Sequence, residues 1–195
     1  MKHLTSQIIN ALQPPATDED LIPAISNALC RVRGRPVRLR PSAFPPDTAS
    51  GLWIDARDHD LIVYEANTHP LHQQVIIGHE AWHMFAGHCG SPTAHGPVAA
   101  RAEAGGPAAQ LEDVVRRVTA LEATDMPPTE LTDTSLHIAA LRADSEVQEE
   151  KAAERFGILL RTAIDSHLED VRVTADLRGI AGRIQVSMAH RGHRA

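Results

Sequence analysis

At 195 residues the chain is long enough for one domain with a real core and too short for two comfortable ones. A formal charge of -6 argues against a dedicated nucleic-acid binder, which carries a clustered basic excess, and no run approaches the roughly 18 apolar residues of a membrane span. Aromatic residues at 3% beside hydrophobic residues at 43% predict a helix-rich domain with a core of Leu, Ile, Val and Ala.

Leu4–Leu12 and Asp18–Val32 both carry apolar residues at helical spacing, separated by Pro14 and Pro15. Thr17 stands where it can cap the second helix ahead of Asp18, Glu19 and Asp20. The one basic cluster, RVRGRPVRLR from Arg31 to Arg40, reads as a solvated helix end running into an edge strand rather than as a phosphate site. Pro36 to Arg40 alternates apolar and basic side chains. After a proline-rich loop, GLWIDA and LIVYEA are joined by the turn formers Arg57 to Asp60, which predicts a β-hairpin and, with Val37–Leu39, a small sheet.

Thr68 and Pro70 open a helix predicted from about Leu71 to Ala86, with Gly87 as its stop. The stretch from about 90 to 110 is rich in Gly, Ala and Pro and too poor in bulky apolar residues to pack, so it is expected to be a flexible insertion. A short helix is predicted at Leu111–Glu122, followed by a loop at Pro127 and Pro128. Ser145–His167 is the second strong helix, apolar at Val147, Phe156, Leu159, Leu160 and Ile164. From about 176 to 195 the pattern is weak and a weakly ordered tail is expected, its His190 and His193 solvated. Cys30 and Cys89 are too few for a disulfide framework, and MKHLTSQIINALQPP has neither an apolar h-region nor a small-residue cleavage site. These features predict a single cytoplasmic domain over 1–195 with reduced thiols.

Within the first strong helix lies IIGHEAWHMF, two histidines four residues apart with a glutamate directly after the first. An ionisable trio on a buried helix is costly unless compensated, and a bound cation compensates all three groups. Residues i and i+4 are separated by about 40° around a helix, so His79 and His83 project side by side toward one ion. Glu80 is adjacent without being a ligand and is placed to act as general base on a water at the metal. This is the HExxH arrangement of zincins. With 12 histidines in the chain such a match arises by chance in roughly one sequence of this composition in twenty to thirty, so its position on an independently predicted helix matters.

A third protein ligand leaves the fourth position to water. The longer H-E-x-x-H-x-x-G-x-x-H form fails, since Ala86 and Cys89 stand at its glycine and last histidine. His88 lies far around the helix and reads as a helix-end residue, while a Cys89 thiolate stays open as a ligand. The better source is SEVQEEKAAERFGILL, where Glu146, Glu150 and Glu154 share a face and the small Ala153 and Gly157 let that helix approach another closely. Glu150 is the chosen ligand, completing a His₂Glu set, with Glu154 supporting an imidazole; Glu149 and Glu154 are the alternatives.

The run LIVYEANTHPLHQQVIIGHEAWHMFAGH, with the later E-x-x-A-E-x-F helix, resembles the ImmA/IrrE family of metallopeptidases, in particular its short actinobacterial form often labelled a toxin-antitoxin component. The likeness covers about Gly51 to His88 and Glu149 to Leu160. It implies a compact zincin-like α+β fold in which a small sheet with its hairpin packs on the HExxH helix and on a second, Glu-bearing helix. It also implies a Zn²⁺ ion and a proteolytic target among DNA-binding transcriptional repressors. The chain departs from the family at three points. Ala81-Trp82 stands where Leu-Gly is common, and Ala152 where a further glutamate is frequent. The helix-turn-helix domain of longer members has no counterpart here.

The leading expectation is therefore a zinc-dependent endopeptidase that cleaves an intracellular repressor or partner protein. Leu61–Glu65, taken as an edge strand, would receive the substrate as an added strand, and Tyr64 or His72 would stabilise the oxyanion. The alternative is a regulatory binding protein with little peptidase activity, one half of a toxin-antitoxin or repressor pair. A purely structural role is third. Intact His79, Glu80 and His83 favour the enzyme, because a binding module has no need of a general base. No direct nucleic-acid or membrane binding is expected, and the oligomeric state is open.

Overall fold

The computed structural model describes residues 1–15, 21–46, 48–87, 113–118, 120 and 145–192, with side chains described only at 148–174 in the last stretch. The elements run α1 (Lys2–Ala11), α2 (Leu21–Arg33), β1 (Val37–Ser42), β2 (Gly51–Asp55), β3 (Asp60–Glu65), α3 (Pro70–Ala86) and α4 (Ser145–Gly192). A helical segment at 113–118 lies before α4. The architecture is α+β. Thr17, Asp18 to Asp20, the 90–110 stretch, His88 and Cys89 lie outside the described residues.

The three strands form one sheet in the order β1-β3-β2. β2 and β3 make the predicted antiparallel hairpin, with Trp53 opposite Ile62, and β1 joins β3 in parallel, with Val37 opposite Asp60. Strand alternation sends Val37, Trp53, Ile62 and Tyr64 to one face, where they enter the main core with Ile8, Ile25, Leu29, Ile77, Met84, Phe156, Leu160 and Ile164. Leu52, Ile54, Leu61 and Val63 face the other way onto Val114, Val115 and Val118. Covered on both faces, β3 is a nearly unbroken buried run, as its LIVY sequence requires.

This order corrects one expectation. Leu61–Glu65 is the central strand, paired on both sides, and has no edge to offer a substrate. The edges are β1 and β2, and β1 is blocked. The backbone C=O of Val37 accepts from Ser26 Oγ at 2.7 Å and its N–H donates to Cys30 Sγ at 3.1 Å, both from α2, while Pro41 has no N–H to give.

The basic cluster is a helix end running into the edge strand β1, as its sequence predicts, but Arg33 and Arg35 within it are engaged by the core rather than simply solvated. Arg33 Nε lies 2.9 Å and Arg35 Nε 3.4 Å from Oδ2 of Asp60, whose side chain is 0% exposed. Trp53 Nε1 donates to Oδ1 of the same carboxylate at 2.9 Å, and Arg33 also donates to the backbone C=O of Met84 at 3.0 Å. Asp60, which reads in sequence as a turn residue, thus fastens α2, β2 and the end of α3 together.

α4 packs antiparallel on α3 through Ala153, Phe156, Gly157, Leu160 and Ile164. It was predicted to end near His167 and instead runs to Gly192. No proline follows Pro128, so nothing in the later sequence removes a helical N–H. None of the described helices is long and apolar enough to cross a membrane.

Candidate metal centre

α3 is bounded as its sequence predicts. His69 is the N-cap, its Nδ1 accepting from the Leu71 N–H at 3.2 Å, and Pro70 follows it. Gly87 ends the helix at φ 69°, in the left-handed region glycine favours. Between these ends Ile76, Ile77, Gly78, Ala81 and Met84 are buried, which fixes the rotation of the helix about its axis. That rotation turns His79 and His83 toward α4 and Glu80 toward β2.

The two imidazoles converge, with Nε2 to Nε2 at 3.1 Å. Glu150 meets both of them: Oε2 lies 3.2 Å from His79 Nε2 and Oε1 lies 3.4 Å from His83 Nε2. Ligands about 2.1 Å from a tetrahedral ion are separated by roughly 3.4 Å, and the separations of 3.1 to 3.4 Å between the two ring nitrogens and from each nitrogen to a Glu150 oxygen are in that range. Among the described residues His79, His83 and Glu150 are the group able to hold a metal ion.

Of the alternatives weighed in sequence, Glu154 is one turn along α4 and its charge acts on His79, whereas Glu149 is not part of the cluster. Burial lowers the pKa of His79, against the pull of Glu150 and Glu154, and so favours the neutral imidazole that a metal requires.

Glu150 reaches the histidines because the two helices cross at glycines. A Cβ on Gly78 would lie 2.8 Å from Gly157 Cα, and one on Gly157 would lie 2.5 Å from the Val75 carbonyl oxygen. The small-residue face inferred from Ala153 and Gly157 is present, and Gly78 is its counterpart on α3. Beside the crossing, Trp82 packs on Phe156 with ring centroids 5.2 Å apart, and its Nε1 is buried with no hydrogen-bond partner among the described residues.

Glu80 is outside the cluster of three, on the β2 side of α3. Its pKa is pushed up to about 8, first by burial and then by the charge of Glu150, while a hydrogen bond from the Trp53 backbone N–H opposes the rise. A cation held by the histidines acts in the opposite direction and favours the carboxylate. The two oxyanion candidates are separated by the fold. Tyr64 is buried in the core at 5% exposure, whereas His72 is exposed, two turns before His79 on nearly the same helix face.

Sequence reasoning missed Gly51, Gly78, Trp53 and Asp60. A glycine inside a strand and another inside an apolar helix were the available signals, since each marks a place where something approaches the backbone closely. No family model, curated protein or solved structure matches the chain.

Proposed function

We propose that the protein is a zinc-dependent endopeptidase of the ImmA/IrrE kind, acting on an intracellular DNA-binding repressor or partner protein. The observation that carries this reading is the meeting of Glu150 with His79 and His83, while the adjacent Glu80 is left outside the ligand set. Two nitrogen donors and one carboxylate suit zinc and leave a fourth position open. When bound, zinc supplies a Lewis acid that polarises the scissile carbonyl and acidifies the attacking water.

The chain's own groups have distinct tasks. Glu80 takes the proton of the attacking water and delivers it to the leaving amine, and needs no coordination bond to do so. Glu154 supports the His79 imidazole electrostatically. The substrate lies along β2, whose edge runs beside α3, and not along β3 as the sequence suggested. His72 is the better placed of the two oxyanion candidates, because Tyr64 is withdrawn into the core.

Co-expression with neighbouring regulators, comparing wild type with Glu80→Gln, tests the reading. A regulator cut only by the wild type is the expected result. A regulator bound equally by both forms and never cut would overturn it in favour of a binding protein.

A further inference from the structure

β2 supplies a second wall of the site. The pairs Ser50–Glu65 and Ala56–His59 are hydrogen-bonded, so by alternation Leu52 and Ile54 turn their backbone groups toward β3. Those of Gly51, Trp53 and Asp55 turn away from it. The outward N–H of Trp53 is on the side of Glu80, where it lowers the carboxyl pKa against the effect of burial.

Two residues earlier, on the same side of the strand, stands Gly51. A Cβ there would lie 2.6 Å from Glu80 Oε1, 2.9 Å from Glu80 Cγ and 2.6 Å from Ile76 Cγ2. Ile76 is 4% exposed and held in the core, so a side chain there presses on Glu80 and on the core beneath it together. Backbone freedom does not account for this glycine, because among the described residues the positive-φ glycines are Gly34 and Gly87. What position 51 requires is empty space.

We infer that Gly51 is a positioning residue for Glu80: the side chain it lacks leaves the slot in which the carboxylate lies against the edge of β2. The catalytic consequence rests on the peptidase reading above, but the slot is a property of the fold. Glu80 is thus held from two elements, by its own helix and by the strand along which the substrate lies. A side chain at 51 displaces the base, while none of its close contacts is with His79, His83 or Glu150.

Amide hydrogen exchange on the zinc-loaded full chain tests this without needing a substrate. Relative to wild type, the Trp53 amide should exchange about tenfold faster or more in Glu80→Ala and in Gly51→Val. The Leu52 and Ile54 amides, bonded to β3, should keep their rates, and zinc content should be unchanged. Gly51→Ala provides a milder variant should Gly51→Val fold poorly. In a cleavage assay it should lower kcat by roughly tenfold to a hundredfold with KM little changed. Unaltered Trp53 exchange in Glu80→Ala overturns the slot, and a fully active Gly51→Val with Trp53 still protected overturns the positioning role. If exchange behaves as expected and no variant or wild type cleaves any target, the peptidase reading fails while the slot stands.

Discussion

A metal site of two histidines and a carboxylate makes unequal demands on its residues. His79 and His83 each contribute one nitrogen, and Glu150 contributes a negative charge as well as a donor atom. Purified protein should therefore hold about one zinc per chain by elemental analysis, and His79→Ala or His83→Ala should abolish it. Glu150→Ala should weaken zinc binding far more than Glu149→Ala, with Glu154→Ala costing on the order of ten- to a hundredfold through its support of His79. A zinc titration giving another order would reassign the third ligand. Glu80 separates chemistry from binding: Glu80→Gln should keep fold and metal and lose proteolysis, which a paired zinc assay and cleavage assay would establish.

Between elements, the decisive feature is the crossing of α3 and α4. Gly157 meets the Val75 carbonyl oxygen, a backbone atom that cannot swing aside, so a side chain there must force the helices apart. Gly157→Ala should cost about 1–3 kcal/mol in denaturant unfolding, and the gain in helix propensity of roughly 1 kcal/mol offsets only part of the strain. Because Glu150 rides on α4 two turns from the crossing, zinc affinity should fall with stability. Gly34 provides the control. It has φ +76° and nothing within 4 Å of an added Cβ, so Gly34→Ala should cost about 1 kcal/mol of backbone strain and leave zinc affinity unchanged. Equal effects of the two substitutions on zinc affinity would show that the crossing does not set the site.

For the molecule as a whole, a fully buried carboxylate ties the sheet to its helices beside the apolar core. Asp60 accepts from Arg33 and Trp53 and pairs electrostatically with Arg35, and Arg33 continues to the last turn of α3. The two arginine side chains are 24% and 29% exposed, so solvent tempers the cost of losing their partner. Asp60→Ala should still destabilise by about 2–3 kcal/mol, at the low end of what breaking a buried ion pair costs, as urea unfolding would measure. The same loss should loosen Trp53, and with it the strand that seats Glu80. α4 extends over 48 residues, or roughly 70 Å, and among its described side chains the contacts with the core run only to Leu168.

Most of the elements were legible in the sequence, because they are set by spacings within a dozen residues, whereas the length of α4 was not. The hairpin followed from GLWIDA and LIVYEA, the bounds of α3 from Pro70 and Gly87, and the shared face of His79 and His83 from the helical repeat. The choice of Glu150 rested on a small-residue face at Ala153 and Gly157, which periodicity also exposes. Tertiary structure decided what depends on distances between elements. Strand alternation gives β3 its pattern whether it lies in the middle of a sheet or at the edge, so only the parallel pairing of β1 made β3 central and left β2 at the edge. Likewise, a glycine is locally only an absent side chain. That Gly51 makes room for Glu80 and Gly78 for Gly157 is fixed by packing contacts among residues far apart in the chain, which no local pattern encodes.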